Sequence, residues 1–314
     1  VNGDKEVVDA ILEHKDISAV SFVGSNNINL LVPNGQFGSR LQGGHDSASE
    51  RYIFTRLSKI TRYIFLEEDD KILNYLDDDG QLVEPIYYLP IIPFILVNGS
   101  KGIGTGFSTD IPSYNPKDII HKLKQLIQGK SIKDDELMPY YKGFIGQVTR
   151  VDKNKFLILG KYKHTNKSDQ IKITELPVGT WTEDYKKFLE ACIDKKQIKS
   201  YQDLSTDVAV EFVVNLNKGD LKKLEKQQGE YGCNRLEKLL KLYSTRRTTN
   251  MYMFDQNEQL KKYTNPEEII REFYKVRYQG YVERKKSLIK ELSDKVKWLT
   301  NKAKYIMELL EDTI

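Results

Sequence analysis

The stretch GGHDSASERYIFTRL, residues 43–57, decides how this chain is read. Two glycines and a run of small polar residues lead into Arg51-Tyr52, and then the pattern turns apolar. Such small residues supply the backbone freedom and local hydrogen bonding of a loop. Beyond Tyr52, the apolar Phe54, Leu57, Ile60 and Ile64 recur at helical spacing, with Arg56, Lys59 and Arg62 on the opposite face. Ser47 and Glu50 have the spacing of a capping box, which starts a helix near residue 48. Alternatively, Arg51–Phe54 is extended and the helix starts at Thr55. Either way Tyr52 lies where a loop enters a regular element. The chain holds 19 tyrosines, so this placement alone does not make Tyr52 functional.

Upstream, FVGSNNINLLVP (22–33) reads as a Gly/Asn-rich loop with a short apolar strand, and GQFGSRLQGGHDSAS (35–49) as a permissive loop. The net charge is only +4, but residues 30–65 hold Arg40, Arg51, Arg56, Lys59 and Arg62 against Asp46 and Glu50. Arginines beside loop glycines suit a phosphate-facing surface. On charge alone, an ordinary solvated helix face explains them as well or better.

Downstream, EPIYYLPIIPFILVNGSKGIGTGF (84–107) carries three prolines among large apolar residues. They exclude a long helix and predict short buried extended pieces. Ile103 then stands between two glycines in a segment without the spacing of a phosphate loop, so no nucleotide site is assigned. By itself Ile103 reads as a buried loop anchor. Asp77-Asp78-Asp79-Gly80 lacks the alternating ligands of a calcium loop and reads as a turn between strands.

From Pro116 onward, helices are predicted at PKDIIHKLKQLI (116–127), WTEDYKKFLEACI (181–193) and CNRLEKLLKLYS (233–244). Strands are predicted at FIGQVTRV, KFLILGKYK, QIKITEL, VAVEFVVNL and TNMYMF, which makes an α+β domain with a largely antiparallel sheet. Asn265-Pro266-Glu267-Glu268 is a helix start, with a capping Asn, Pro at the first position and acids in the first turn. Leu292, Val296, Leu299, Ala303, Ile306 and Leu310 then form a coiled-coil seam. The two successive steps of four at 288, 292 and 296 predict a register slip or a bend there.

Composition narrows the function classes. No apolar run reaches the ~20 residues of a membrane span. Cys192 and Cys233 have no metal-ligand spacing, and so few cysteines favour a reducing intracellular compartment. His14, His45, His121 and His164 show no paired spacing for zinc, and there is no nucleophile elbow of a hydrolase. The start inside a charged segment without Met suggests a piece of a longer polypeptide. A tyrosine hydroxyl, with a pKa near 10, attacks phosphorus only when a cation, phosphate-neutralising groups and usually a metal assist it. Arg51, Arg40 and His45 supply the first two, and no residue pattern supplies the metal. Local chemistry alone therefore leaves Tyr52 more easily read as a packing residue than as a nucleophile.

Several longer motifs change that balance. FVGSNNINLL (22–31), NGQFGSRLQGGHDSASERYIFT (34–55), YYLPIIPFILVNGSKGIGTGFS (87–108) and ITELPVGTWTEDY (173–185) resemble the breakage-reunion region of type IIA DNA topoisomerases, in particular the eukaryotic topoisomerase II branch. The likeness runs from about Ser21 to the C-terminus. It implies that Tyr52 forms a 5′-phosphotyrosyl link with DNA so that a second duplex can pass, and that Arg51 supports the scissile phosphate. It also implies that Ile103 wedges between base pairs, and that Arg40 and His45 touch backbone phosphate. The implied layout is the later part of a winged-helix domain (1–90), a tower domain (91–264) and the first arm of a coiled coil (265–314).

Implied partners are double-stranded DNA, a second copy through the DNA gate and C-gate, and the Toprim and ATPase regions of the same enzyme. Those regions would bind the Mg2+ and ATP that the activity needs, so this fragment alone is expected to be inactive. No membrane partner is expected. The family's HGE-type segment is not recognisable before FVGSNN, so His14 takes no role from it. Lys- and Asn-rich loops suit a divergent protist or a large DNA virus, which places the protein in a nucleus or in a viral factory or virion. Rival readings are a tyrosine recombinase or type IB enzyme, whose dispersed cationic set is not matched, and a DNA-bending architectural protein that keeps the fold without the cleavage.

Overall fold

The computed structural model describes residues 27–104 and 106–311, so His14 and the segment around it lie outside the described residues. In chain order the elements are α1 (Thr61–Ile64), α2 (Glu67–Asp70), β1 (Tyr75–Asp78), β2 (Gln81–Pro85), α3 (Phe94–Asn98), β3 (Ser100–Gly104), β4 (Phe107–Ile111) and α4 (Pro116–Ile127). There follow β5 (Gln147–Asp152), β6 (Lys155–Leu159), β7 (Lys161–His164), β8 (Gln170–Glu175), α5 (Thr182–Asp194), β9 (Ser200–Asp203), β10 (Phe212–Asn215), α6 (Asp220–Lys226) and α7 (Arg235–Leu239). Strands β11 (Tyr243–Arg247), β12 (Met251–Phe254) and β13 (Leu260–Tyr263) lead to the long α8 (Pro266–Leu310). Every strand pairing among these is antiparallel. The strands are divided between a four-stranded sheet (β7-β8-β10-β9), a three-stranded sheet (β11-β6-β5) and three hairpins, rather than gathered in one sheet.

The chain forms two compact units. The first takes in the described residues up to Ser58 together with Phe94–Ile269. Its main core lies where α5 covers the four-stranded sheet. Tyr185, Leu189 and Cys192, spaced along one helix face, meet Ile171, Ile173, Phe212 and Val214, which alternate inward from β8 and β10. The buried Tyr185 hydroxyl donates to the Leu240 carbonyl at 2.7 Å. Burial pushes that phenol well above its ordinary pKa, so it serves as a neutral tie. Helix α4 falls on the predicted residues, because Asn115 caps the Lys117 amide, Pro116 occupies the first turn, and Ile119 and Leu123 face the core. Helix α7 stops at Leu239 and its predicted continuation becomes β11, whose backbone pairs with β6.

The second unit comprises Lys59–Pro93 and the chain from Ile270 onward. Its β1–β2 hairpin turns at Asp79-Gly80, both with positive φ, and the Gly80 amide donates to the Asp77 carboxylate at 2.7 Å, as expected of a turn. Asp69 is buried between two guanidiniums, Arg277 at 2.7 Å and Arg284 at 3.5 Å, so its charge is neutralised locally. Helix α8 begins as predicted, with the Asn265 side chain accepting from the Glu268 amide at 2.8 Å. It runs through 288–296 as one continuous helix, and Leu292, Val296, Leu299, Ile306 and Leu310 are exposed along it. Among the described residues no helix is long and apolar enough to cross a membrane.

Two further expectations need correction. Residues 53–60 form no helix, because the backbone of 56–58 bonds across to 30–32 and the apolar Phe54, Leu57 and Ile60 are exposed rather than stacked on a core. The segment Phe94–Asn98 is helical rather than extended. The three prolines forbid a long helix, but Pro93 directly before α3 leaves its five residues free to coil, with Leu96 and Val97 fully buried.

Candidate active site

The loop that carries Tyr52 is closed at its base by a short antiparallel bridge. The Val32 amide donates to the Arg56 carbonyl at 2.9 Å and the Ser58 amide to the Leu30 carbonyl at 2.8 Å, with Leu31 opposite Leu57. The Thr55 hydroxyl adds a bond to the Val32 carbonyl at 2.6 Å. The segment behind the loop, which is irregular apart from the bridge at Leu31, is fixed to the core by Asn27. Its amide nitrogen donates to the carbonyls of Val97 (2.8 Å), Tyr114 (3.0 Å) and Tyr140 (3.2 Å), and its oxygen accepts from the Lys142 amide at 2.8 Å. A buried amide so fully used holds three segments of the fold in one place.

Tyr52 ends a single 3-10 turn, Glu50–Tyr52, in which its amide donates to the Ser49 carbonyl at 2.9 Å. It is 67% exposed. The Arg51 guanidinium lies over its ring, 5.1 Å from the centroid. A phenol open to solvent beneath a guanidinium is accessible to a substrate that brings negative charge. His45 is exposed in the loop before it. Arg40, also in that loop, is part-buried and ion-paired with Glu175 at the end of β8.

The loop has its own internal ties. Asp46 accepts from the Ser39 amide at 2.8 Å and from the Ser39 hydroxyl. Partial burial works against the Asp46 carboxylate, but these bonds outweigh it and hold its pKa below the ordinary carboxylate value. The Ala48 amide donates to the Gln36 carbonyl at 2.9 Å. Gly38 approaches Gly44 so closely that a Cβ there would lie 2.5 Å from the Gly44 Cα. The loop borders an open cavity of about 520 Å³ lined by Phe37, Arg40, Tyr141, Phe144 and Trp181 among others.

Ile103 stands near the tip of the β3–β4 hairpin, opposite Ser108 and 92% exposed, so it anchors no core among the described residues. The hairpin is braced from the side. Asp110 pairs with Arg246 of β11, which also donates to the Tyr141 hydroxyl at 3.2 Å. The Asp110 amide donates to the Asn250 carbonyl at 2.7 Å, and Phe107 meets Phe254 edge to face at 5.9 Å. Gly104 lies close under the Phe107 ring, so that a Cβ there would fall 2.7 Å from it and the ring would have to shift.

Among the described residues no group of three or more His, Cys, Asp or Glu side chains could hold a metal ion. They therefore do not fit the role of the magnesium site that the resemblance implies for the complete enzyme. The sequence reading gave no part to Asn27, Glu175, Asp110 or Arg246. For Glu175 a signal was present: the alternation Ile171, Ile173, Glu175 puts a carboxylate on the buried face of its strand.

Known proteins share both this sequence and this fold. The family model for the A-subunit of DNA gyrase/topoisomerase IV matches residues 2–314. The chain is 45% identical over 302 residues to DNA topoisomerase 2 top-2 of Caenorhabditis elegans, covering 94% of this chain and 19% of that protein. It is 45% identical over 288 residues to a mitochondrial DNA topoisomerase 2 of Dictyostelium discoideum, covering 92% and 22%. The crystal structure of the Plasmodium falciparum topoisomerase II DNA-binding, cleavage and re-ligation domain superimposes with a TM-score of 0.85 at 43% identity, covering 94% of this chain and 40% of that one. The chain thus spans about a fifth of the length of these two curated relatives. It belongs to the DNA gyrase/topoisomerase IV A-subunit family.

Proposed function

We propose that this chain is the DNA-gate region of an ATP-dependent type II DNA topoisomerase and that Tyr52 is its nucleophile. The observation that carries the reading is an exposed phenol lying under the Arg51 guanidinium at the end of a loop tied down at both ends. The step is a transesterification. The Tyr52 oxygen forms a bond to a backbone phosphorus, the bond from phosphorus to the 3′-oxygen breaks, the phenol loses its proton and the 3′-oxygen gains one. The phosphodiester energy is kept in the 5′-phosphotyrosyl link, so the reverse reaction reseals the strand. Arg51 stabilises the phenolate and the charge that builds on the phosphate oxygens. His45 and Arg40 are the candidate contacts to neighbouring phosphates; a guanidinium with one edge on Glu175 keeps donors on the other.

Ile103 is assigned as the wedge. An apolar side chain exposed at a braced hairpin tip suits insertion between base pairs, where the bend it causes lets more protein touch the duplex. The proposed layout is winged-helix to about residue 90, tower over 91–264 and coiled-coil arm over 265–314, and the start of α8 at Pro266 supports the last boundary. In this reading two copies cut opposite strands, while magnesium and ATP are served by the Toprim and ATPase regions of the complete enzyme. A nuclear location is proposed for it, its relatives being eukaryotic topoisomerases, one of them mitochondrial by name.

The test is a cleavage assay of the complete enzyme with magnesium and supercoiled plasmid. Tyr52→Phe abolishes the covalent protein–DNA adduct and leaves duplex binding nearly unchanged. Adduct persisting in that variant would show that another residue is the nucleophile. Wild-type protein that bends DNA but forms no adduct would instead favour an architectural role.

A further inference from the structure

The attachments of the tyrosine loop converge on one buried carboxylate and the helix start beside it. Glu175 is 1% exposed and occupies the core-facing register of β8, where an aliphatic residue would continue the pattern of Ile171 and Ile173. An unpaired charge there would be costly, so the site must supply partners. It does so from three directions: the Leu176 amide at 3.0 Å, the Ile145 amide at 3.2 Å, and Arg40 from the loop.

A short way along the chain, α5 begins at Thr182 with no side-chain cap. Its first free amides go to the loop backbone instead, Glu183 to the Leu41 carbonyl at 3.0 Å and Thr182 to the Arg40 carbonyl at 3.5 Å. The loop therefore caps the helix. The next contact is steric. Gly43, at φ +64°, passes the Trp181 ring so closely that a Cβ would lie 2.2 Å from it. From this seat to the nucleophile the chain is bonded at short intervals, through Asp46 to Ser39, Ala48 to Gln36 and Tyr52 to Ser49.

We infer that Glu175 is a positioning residue for strand cleavage, which with Trp181 and the α5 N-terminus seats the loop 38–46 so that Tyr52 is presented in one orientation. The inference rests on Tyr52 being the nucleophile. Glu175 acts through Arg40 and the loop and touches no substrate.

The experiment compares Glu175→Gln and Gly43→Ala in the complete enzyme. Three quantities are read: covalent adduct at saturating DNA, the DNA dissociation constant with its salt dependence, and hydrogen exchange of amides 44–48 against those of β8. Adduct at saturating DNA is expected to fall by about tenfold to a hundredfold, the scale of a nucleophile displaced by an ångström. The dissociation constant is expected to stay within about twofold with an unchanged salt slope, because neither substituted residue is itself a phosphate contact and Arg40 and His45 keep their charges. The loop amides should exchange faster while β8 stays protected.

Full adduct formation with a released loop overturns the inference, and so does a loop that neither variant releases. Weaker binding with a shallower salt slope also overturns it, since the loss would then be one of DNA contact. If Glu175→Gln deprotects β8 as well, Gly43→Ala decides alone, as it leaves the carboxylate and its sheet in place. Adduct surviving in Tyr52→Phe would sink the nucleophile reading itself, whereas adduct lost there but intact in both seat variants sinks the positioning role only.

Discussion

At the scale of single residues, exposure separates the groups proposed to meet a substrate from those that hold the loop in place. Tyr52 and Ile103 project into solvent, while Asn27 and Glu175 are buried and saturated with bonds. This difference sets what mutation should do. Ile103→Ala removes a side chain that packs on no core among the described residues, so folding stability should change by no more than about 0.5 kcal/mol. DNA bending, followed by energy transfer between labels on the duplex ends, should fall, and the cleavage sites chosen should shift. Unchanged bending would remove the wedge assignment. Among single residues, Tyr52, Arg51 and Ile103 could be named as candidates from the sequence because they sit in motifs continuous along it. Glu175 showed only its register on a buried strand face; its pairing with Arg40 was not legible, since the two lie 135 residues apart and no local pattern joins them.

At the scale of elements, the tyrosine loop behaves as a folded unit with an acid-sensitive tie. The bonds from Ser39 depress the pKa of Asp46 below its ordinary value, so Asp46 stabilises the loop only while ionised. The sign follows: the contribution is complete above the unfolded value and is lost as pH falls through the lower folded value. Hydrogen exchange at Ser39 and Gly44, corrected for intrinsic rates, should therefore quicken below about pH 4 in the native chain. In Asp46→Asn it should be faster already at neutral pH, with little further change on acidification. A wild-type loop equally protected at pH 3 and pH 6, roughly either side of an ordinary carboxylate pKa, would count against the tie.

Helices show where sequence periodicity suffices. Residues 116–127 combine a cap, a proline and a buried stripe, and all three signals agree. The stripe at 54, 57, 60 and 64 had spacing alone, and pairing with residues 30–32 took the backbone instead. Periodicity says which side chains could share a face, not whether a core exists to receive them.

For the whole molecule, charge and connectivity matter more than any one contact. The net charge of +4 is small, and residues 30–65 carry most of the excess. Binding of duplex DNA by the complete enzyme should accordingly weaken steeply with salt, with log K falling by about 0.9 per phosphate neutralised for each unit of log salt. Replacing Arg51 with Gln should lessen that slope by about one contact; an unchanged slope would take Arg51 off the phosphate.

The far-separated partners of the loop have a final consequence, which concerns synthesis. Asn27 awaits residues 97, 114, 140 and 142, and Arg40 awaits Glu175. Contacts so distant along the chain close late, because the entropy of the intervening loop is lost before they form. A nascent chain thus carries its Tyr52 loop unseated until Glu175 has been made, and a chain terminated before that point never seats it.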